Sequence, residues 1–474
     1  MQAWPVGETR VDPHVSGRAS GRLFWVVTIS LSVVVSYIIL SEQYALGAAI
    51  GIALAFALLC FVKPQLALLV FLIYLPVEGM LGKFGIDLSV MKGVNPETFV
   101  TLLYAAIGLP RVLGGAKPPS SVGRQILPMV LLSGLMLISI AWNPHVGTDR
   151  MSLDLAEIKR AAFFFLTFLL VLLTPDKRRY LNLYLGVFLL VCIYLALDLA
   201  WLRTDKAMFA KLGSRVVTFK ESVVHTSPLV LGLGASFLVA LAVEENIFFF
   251  SRILRLLGAG LMVLSSLVLL SRALSGAVIV GVFTTLLASR VRKWNVAALL
   301  LVLPALWFFL PEDLVSRFEL SLFRGRSGTG SLTTQRLEVA WPDAIEMISK
   351  HPILGVGFGA YKQMAKLVPH NQLLDIWVQV GIGGVILFLW IYMSLVKVAW
   401  RARGNDEPKT RVVANGLFGQ LMGCTVALLF SDSFFSPWLT YALFFIAVLL
   451  ESGADGTLGY RVESRLEESL STSV

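Results

Sequence analysis

Long apolar runs recur along this chain, and most approach the length that crosses a bilayer. They fall at approximately 23–40, 44–62, 65–80, 96–113, 126–142, 160–174, 181–201, 227–243, 254–271, 273–289, 295–311, 373–398, 412–430 and 438–451. A hydrocarbon core of about 30 Å takes about 20 apolar residues in helical form. The expected fold is therefore all-α: a polytopic integral membrane helical bundle of about 12–14 transmembrane helices. The runs 65–80 and 96–113 are amphipathic enough to be re-entrant. Composition agrees. Hydrophobic residues make up 57% of the chain and charged residues 15%, whereas soluble domains run near 45–50% and 25%. An ordinary soluble enzyme, a disordered chain, a collagen-like repeat and a disulfide scaffold are excluded. Cys60, Cys192 and Cys424 all lie inside apolar runs, with no CxxC pair and no Cys/His cluster. They read as packing residues.

The 40 Lys and Arg exceed the 30 Asp and Glu by ten. In a soluble protein this would suggest nucleic acid; here it is first a topology signal, and no nucleic-acid partner is expected. Residues 1–22 read as a cytoplasmic tail and 23–40 as a retained first span. With alternating sides, the inner loops then hold Arg111/Lys117/Arg124, Lys177/Arg178/Arg179, Arg252/Arg255, Arg290/Arg292/Lys293 and Arg401/Arg403/Lys409/Arg411. That is the positive-inside pattern. The span-bearing domain is 23–451, and 452–474 reads as a cytoplasmic C-terminal tail. Two longer external segments remain, 202–226 and the long external loop 312–372. Polar loops of such length are uncommon unless functional.

The chemistry gathers in those segments. RLEVAWPDAIEMISK (336–350) spaces Leu337, Ala340, Trp341, Ala344, Ile345 and Ile348 as an amphipathic helix, lying on the outer face of the membrane or of the bundle. HPILGVGFGAY (351–361) follows, with Gly355, Gly357 and Gly359 alternating. Such a series permits tight turns, and it also permits close backbone approach to an anion. It is not a Walker loop, because no Gly-Lys-Ser/Thr follows. PHNQLLDIWVQVG (369–381) then places His370 before the run 373–398, with Asn371, Asp375 and Gln379 four residues apart on one helix face. Polar groups entering a membrane are costly unless they face a cavity or partner. Histidine is the side chain best suited to exchanging a proton near neutral pH. Arg272 sits between two apolar runs on the outer side, where the topology rule gives it no reason to be. Its fork of donors suits a phosphate, and a snorkelling interfacial arginine is the plainer alternative. Twelve further basic residues lie in the two external segments, among them Arg203, Arg215, Lys220, Arg336 and Lys366. A basic external surface beside a polar, histidine-bearing helix suggests an anionic substrate at the membrane surface, such as a lipid diphosphate.

Arg336-x4-Trp341, HPILGVGFG, PHN and GIGG (381–384) together resemble the signature region of the O-antigen ligase and polymerase superfamily, and SRALSG (271–276) resembles its Ser-Arg segment. The likeness covers roughly 210–400 by motif and the remainder by hydropathy alone. It implies a GT-C-like membrane glycosyltransferase of the bacterial cytoplasmic membrane, working on the periplasmic face. The implied donor is an undecaprenyl-diphosphate-linked glycan, and the implied acceptor a glycan or lipid A-core. His370 matches the family's histidine, the expected base. Arg272 and Arg336 match arginines expected to hold the diphosphate. Arg215 lies where a further one is expected, in a segment that departs from the usual Gly-rich pattern. Gln379 stands where many members carry Glu. Asn371, Asp375, Gly355, Gly357 and Gly359 are supporting residues. No metal or other cofactor is expected, since Asp343, Glu346 and Asp375 follow no metal-site spacing. The expected partners are membrane lipids, the glycan donor and acceptor, and other polysaccharide-assembly proteins. Polymerisation of surface polysaccharide is favoured over ligation onto lipid A-core. A transporter of lipid-linked glycan or polysaccharide is the competing class, but it would carry broken helices and midplane charges.

Overall fold

The computed structural model describes residues 120–141, 180–204, 227–243, 252–268, 272–289, 336–364 and 369–430, with single residues at 55, 59, 63, 66, 69, 443 and 447. The runs expected at 23–40, 96–113, 160–174 and 295–311, both tails, Arg215 and the loop stretch 312–335 lie outside the described residues. The chain divides into the units Met1–Ala67 and Leu68–Val474, and every helix below belongs to the second. These are α1 (Ser120–Ala141), α2 (Leu181–Thr204), α3 (Ser227–Val243), α4 (Arg252–Val268), α5 (Arg272–Ala288), α6 (Trp341–Lys350), α7 (Tyr361–Met364), α8 (Gln372–Val380), α9 (Ile382–Ala402) and α10 (Pro408–Phe430). A π-helical turn, Arg336–Ala340, leads into α6. No strand occurs among the described residues.

Among the described residues two helices, α9 and α10, are long and apolar enough to cross a membrane. The 21 residues of α9 span about 31 Å at about 1.5 Å each, which is the thickness of the hydrocarbon core. Shorter apolar helices occur at Leu127–Ala141, Leu181–Leu197, Pro228–Val243 and Leu274–Ala288. Helix α3 is buried on every side, as its unbroken apolar sequence requires.

The tightest contact is between α5 and α10, and small residues make it. A Cβ on Gly419 would lie 2.5 Å from the Gly281 carbonyl, and one on Gly423 would strike the Ala277 carbonyl. Ala277 and Gly281 are one turn apart on α5, as are Gly419 and Gly423 on α10. Stripes of this kind let backbones approach where lipid removes the hydrophobic drive between helices. The pairing is antiparallel, since the chain rises from Gly419 to Gly423 as α5 falls from Gly281 to Ala277. Helices α9 and α10 are antiparallel too. The Arg403 Nε donates to Asn415 Oδ1 at 3.0 Å near one end, and the Tyr392 hydroxyl donates to the Leu421 carbonyl further along. Arg403 also donates to the Ala288 carbonyl at 3.0 Å, closing the last turn of α5, and stacks on Trp400 and Phe418.

The sequence run 373–398 reads as one span, but the structure divides it at Gly381. Helix α8 has nine residues, about 13 Å in length, and does not cross a bilayer. Gly381 sits at φ 82°, a region that favours glycine. A Cβ there would strike the Ile353 carbonyl. The polar stripe Asn371–Asp375–Gln379 therefore belongs to a short helix ahead of the span and not to the span itself.

Candidate functional site

The site grows from the loop that carries the three alternating glycines. Gly355, Gly357 and Gly359 all have positive φ, at 68°, 112° and 83°. At Gly355 a Cβ would come within 2.5 Å of the Gln379 backbone. The close approach that these glycines permit is thus to the end of α8. Val356 N–H donates to the Val378 carbonyl at 2.7 Å and Gly357 N–H to the Gln379 carbonyl at 3.1 Å. Gly359 N–H donates to Gln379 Oε1 at 2.6 Å. The Val378 and Gln379 backbone carbonyls are ones that a helix C-terminus otherwise leaves open. The turn satisfies them, and its amides are committed inside the protein.

Ser139 on α1 completes the clamp. Its hydroxyl accepts from Phe358 N–H at 2.6 Å and donates to the Gln379 carbonyl at 3.0 Å. One buried side chain so joins α1, the glycine turn and α8. Nothing in the apolar run that holds it distinguishes Ser139 in the sequence. Gln379 is buried, and its amide oxygen fills the accepting role that a carboxylate would have at that position.

At the other end of α8, Asn371 caps the helix: Oδ1 accepts from Leu373 N–H at 3.0 Å and Leu374 N–H at 3.1 Å. This is the accepting role that favours Asn at a helix start. His370, immediately before it, has φ 46° and is the described non-glycine residue in the left-handed region. Such a conformation costs about 1–3 kcal/mol and persists where the surroundings over-determine it. They do so here. Asn371 is fixed by its cap, and Pro369 is fixed because its carbonyl accepts from Trp341 Nε1 at 2.9 Å. His370 is left half-buried, on a turn held from both sides.

Asp375 lies one turn into α8 and is buried. Tyr361, also buried, is wedged beside Ala344, Ile348 and Val378. Burial pushes the Tyr361 phenol up to about 12, and the charges of Asp375 and Asp343 push the same way. The phenol therefore stays protonated at physiological pH. Neither Tyr361 nor Ser139 was expected from the sequence.

Gly355, Gly357, Gly359, His370, Asn371 and Asp375 therefore form one body around α8. Arg336 opens the π-helical turn leading to Trp341, so its backbone belongs to the same body. Arg272 is the first residue of α5. The antiparallel pairings above put that helix start at the same end of the bundle as Gly381 and α8. Ala277 and Tyr392 are level, each facing the Gly423 region of α10. Arg272 stands five residues before Ala277, about 7–8 Å along the helix axis toward that end. Among the described residues no group of three or more His, Cys, Asp and Glu is placed to hold a metal ion.

The described residues are helical, with two candidate membrane spans and a polar, histidine-bearing cluster at one end of their packed helices. Residues 254–389 match the family model described as O-Antigen ligase. The match supports the O-antigen ligase and polymerase superfamily, the one that the sequence motifs resemble. Members of that family are glycosyltransferase-like enzymes of ligase or polymerase type. No curated protein matches the chain.

Proposed function

We propose that the chain is a multi-pass glycosyltransferase of the bacterial cytoplasmic membrane. It transfers an undecaprenyl-diphosphate-linked glycan to a sugar hydroxyl on the periplasmic face, and so polymerises repeat units of exopolysaccharide or O-antigen. The observation that carries the reading is the strained His370 turn, held between the Trp341–Pro369 bond and the Asn371 cap within the family domain. Orientation is supported by the opposite end of the bundle, where Lys397, Arg401, Arg403, Lys409 and Arg411 cluster, as expected of a cytoplasmic end.

In this reaction the bond from the donor's anomeric carbon to the diphosphate breaks, and a bond from that carbon to the acceptor oxygen forms. The acceptor hydroxyl loses its proton to His370, and the diphosphate leaves on its prenyl carrier with the electron pair. Proton acceptance by a positioned base contributes about 10²–10⁴-fold. Arg272, Arg336 and Arg215 stabilise the charge growing on the diphosphate. The reading uses no metal, and loss of activity on chelation would overturn that part.

The second reading is ligation of a finished glycan onto lipid A-core, favoured by the description of the matching family. Deleting the protein separates the two. Loss of a polymerase leaves single repeat units, whereas loss of a ligase leaves long chains on the carrier lipid. Transfer by purified protein in detergent, where no compartment exists, excludes transport as its sole activity. Arg272→Lys tests the diphosphate contact, because an ammonium cannot reproduce a bidentate fork. Full activity in that variant would count against it.

A further inference from the structure

Helix α6 carries more apolar surface than the protein covers. Ala340, Ala344 and Ile348 recur every four residues and are buried, with Ala344 and Ile348 packed beside Tyr361 and Val378. A second apolar stripe runs alongside at the same spacing, through Leu337, half-buried Trp341 and Ile345. Leu337 is 52% exposed and Ile345 56%. On the far side Glu346, Ser349 and Lys350 are exposed, and there Lys350 pairs with Glu346 at 2.6 Å. The helix thus has one face packed on protein, one bare apolar face and one polar face. A soluble helix has no use for the second, whereas a helix lying in a bilayer interface does.

The following turn extends the bare face, with Ile353 71% and Leu354 43% exposed. Its position is fixed by backbone. The Pro352 carbonyl accepts from Ile382 N–H at 3.0 Å and from Trp377 Nε1 at 3.1 Å. Ile382 is the first residue of the candidate span α9. The bare turn is therefore tied to the point where a helix enters the membrane. The exposed apolar face of α9 begins one turn further on, at Ile386 and Trp390.

We propose that Leu337, Ile345, Ile353 and Leu354 are seated among the acyl chains of the leaflet that α9 enters, the occupant of this surface being ordinary membrane phospholipid. Helix α6 is then a fixed interfacial anchor that sets the depth of the His370 turn, through Trp341 and Pro369, and not a lid swinging over it. The proposal needs α9 to span, but not any particular reaction at His370.

The test uses full-length protein in phospholipid nanodiscs, in a Cys60→Ala background. Cys192 and Cys424 are buried and do not label. A small fluorophore is attached at Ile353→Cys, Ile345→Cys or, on the polar face, Glu346→Cys. Leu354→Cys replaces any apolar-face variant that does not purify as a folded protein. Each is challenged with acyl-chain nitroxide lipid and with aqueous iodide. The expected result is loss of fluorescence to nitroxide but not iodide at Ile353 and Ile345, and the reverse at Glu346. Iodide quenching at Ile353 equal to that at Glu346 would overturn the proposal. So would protection from both quenchers, which would mean that protein covers the surface. Because fluorescence is read without glycan transfer, failure of the proposed reaction leaves this result standing.

Discussion

Replacing His370 by glycine should leave the protein more stable than replacing it by alanine, while both replacements cost most of the activity. His370 holds φ 46°, where a residue with a Cβ pays about 1–2 kcal/mol. Glycine escapes that cost but loses about 0.5–1 kcal/mol more backbone entropy on folding than alanine does. The difference favours His370→Gly over His370→Ala by about 0.5–1 kcal/mol, and alanine is the proper reference because both variants lack the imidazole. In a chain of 474 residues that corresponds to about 0.5–1 °C in melting temperature. Both variants should lose transfer by about 10²–10⁴-fold, the contribution of a general base. Thermal unfolding in detergent and a transfer assay with lipid-linked substrate measure the two effects separately. A glycine variant less stable than the alanine variant would refute the backbone argument. A glycine variant of full activity would refute the proposed base.

Four further outcomes are expected. Asn371→Ala removes the acceptor for two amides and should cost about 1 kcal/mol, with most of it recovered in Asn371→Asp, as read by thermal unfolding. Gly423→Leu drives a side chain into the Ala277 carbonyl and should separate α5 from α10; the protein should fail to purify as a single species, whereas Gly260→Ala on α4, where a Cβ meets nothing, should behave as wild type. Ser139→Ala breaks both bonds that join α1 to the glycine turn and should cost about 1–3 kcal/mol, at about 0.5–1.5 kcal/mol per bond; unchanged melting would contradict the clamp. Because Tyr361 is held at about 12 against an ordinary 10, the folded state binds its proton more tightly than the unfolded state. Its contribution to stability is complete below pH 10 and lost as pH rises toward 12, so Tyr361→Phe should flatten that alkaline decline in a melting-temperature series.

The helices were readable where their cause is local. The spacing in 336–350 marked a helix, and Ala340, Ala344 and Ile348 are its buried face; what spacing could not tell is that Leu337 and Ile345 stay bare, because that depends on what the fold brings against them. The span beginning at Ile382 was visible as hydropathy, but the break before it was not. Gly381 stood out as part of the GIGG motif and not as a helix break, because its conformation is set by the Ile353 carbonyl from a distant turn. The glycine series announced turns without saying that its amides end on α8. Ser139 was hidden for the same reason, since its partners are more than 200 residues away in the chain. His370 and Asn371 stood out as residue types in a motif, and the strain at one and the cap at the other emerged only from dihedral angles and distances.

The central claim is that His370 takes the proton of an acceptor sugar as a lipid-linked glycan is transferred. The most direct measurement is product length from purified protein and defined undecaprenyl-diphosphate-linked repeat units, comparing wild type with His370→Ala. The account predicts chains of many units with wild type and unreacted single units with the variant, both proteins being equally folded. Wild-type chain lengths from His370→Ala would contradict it.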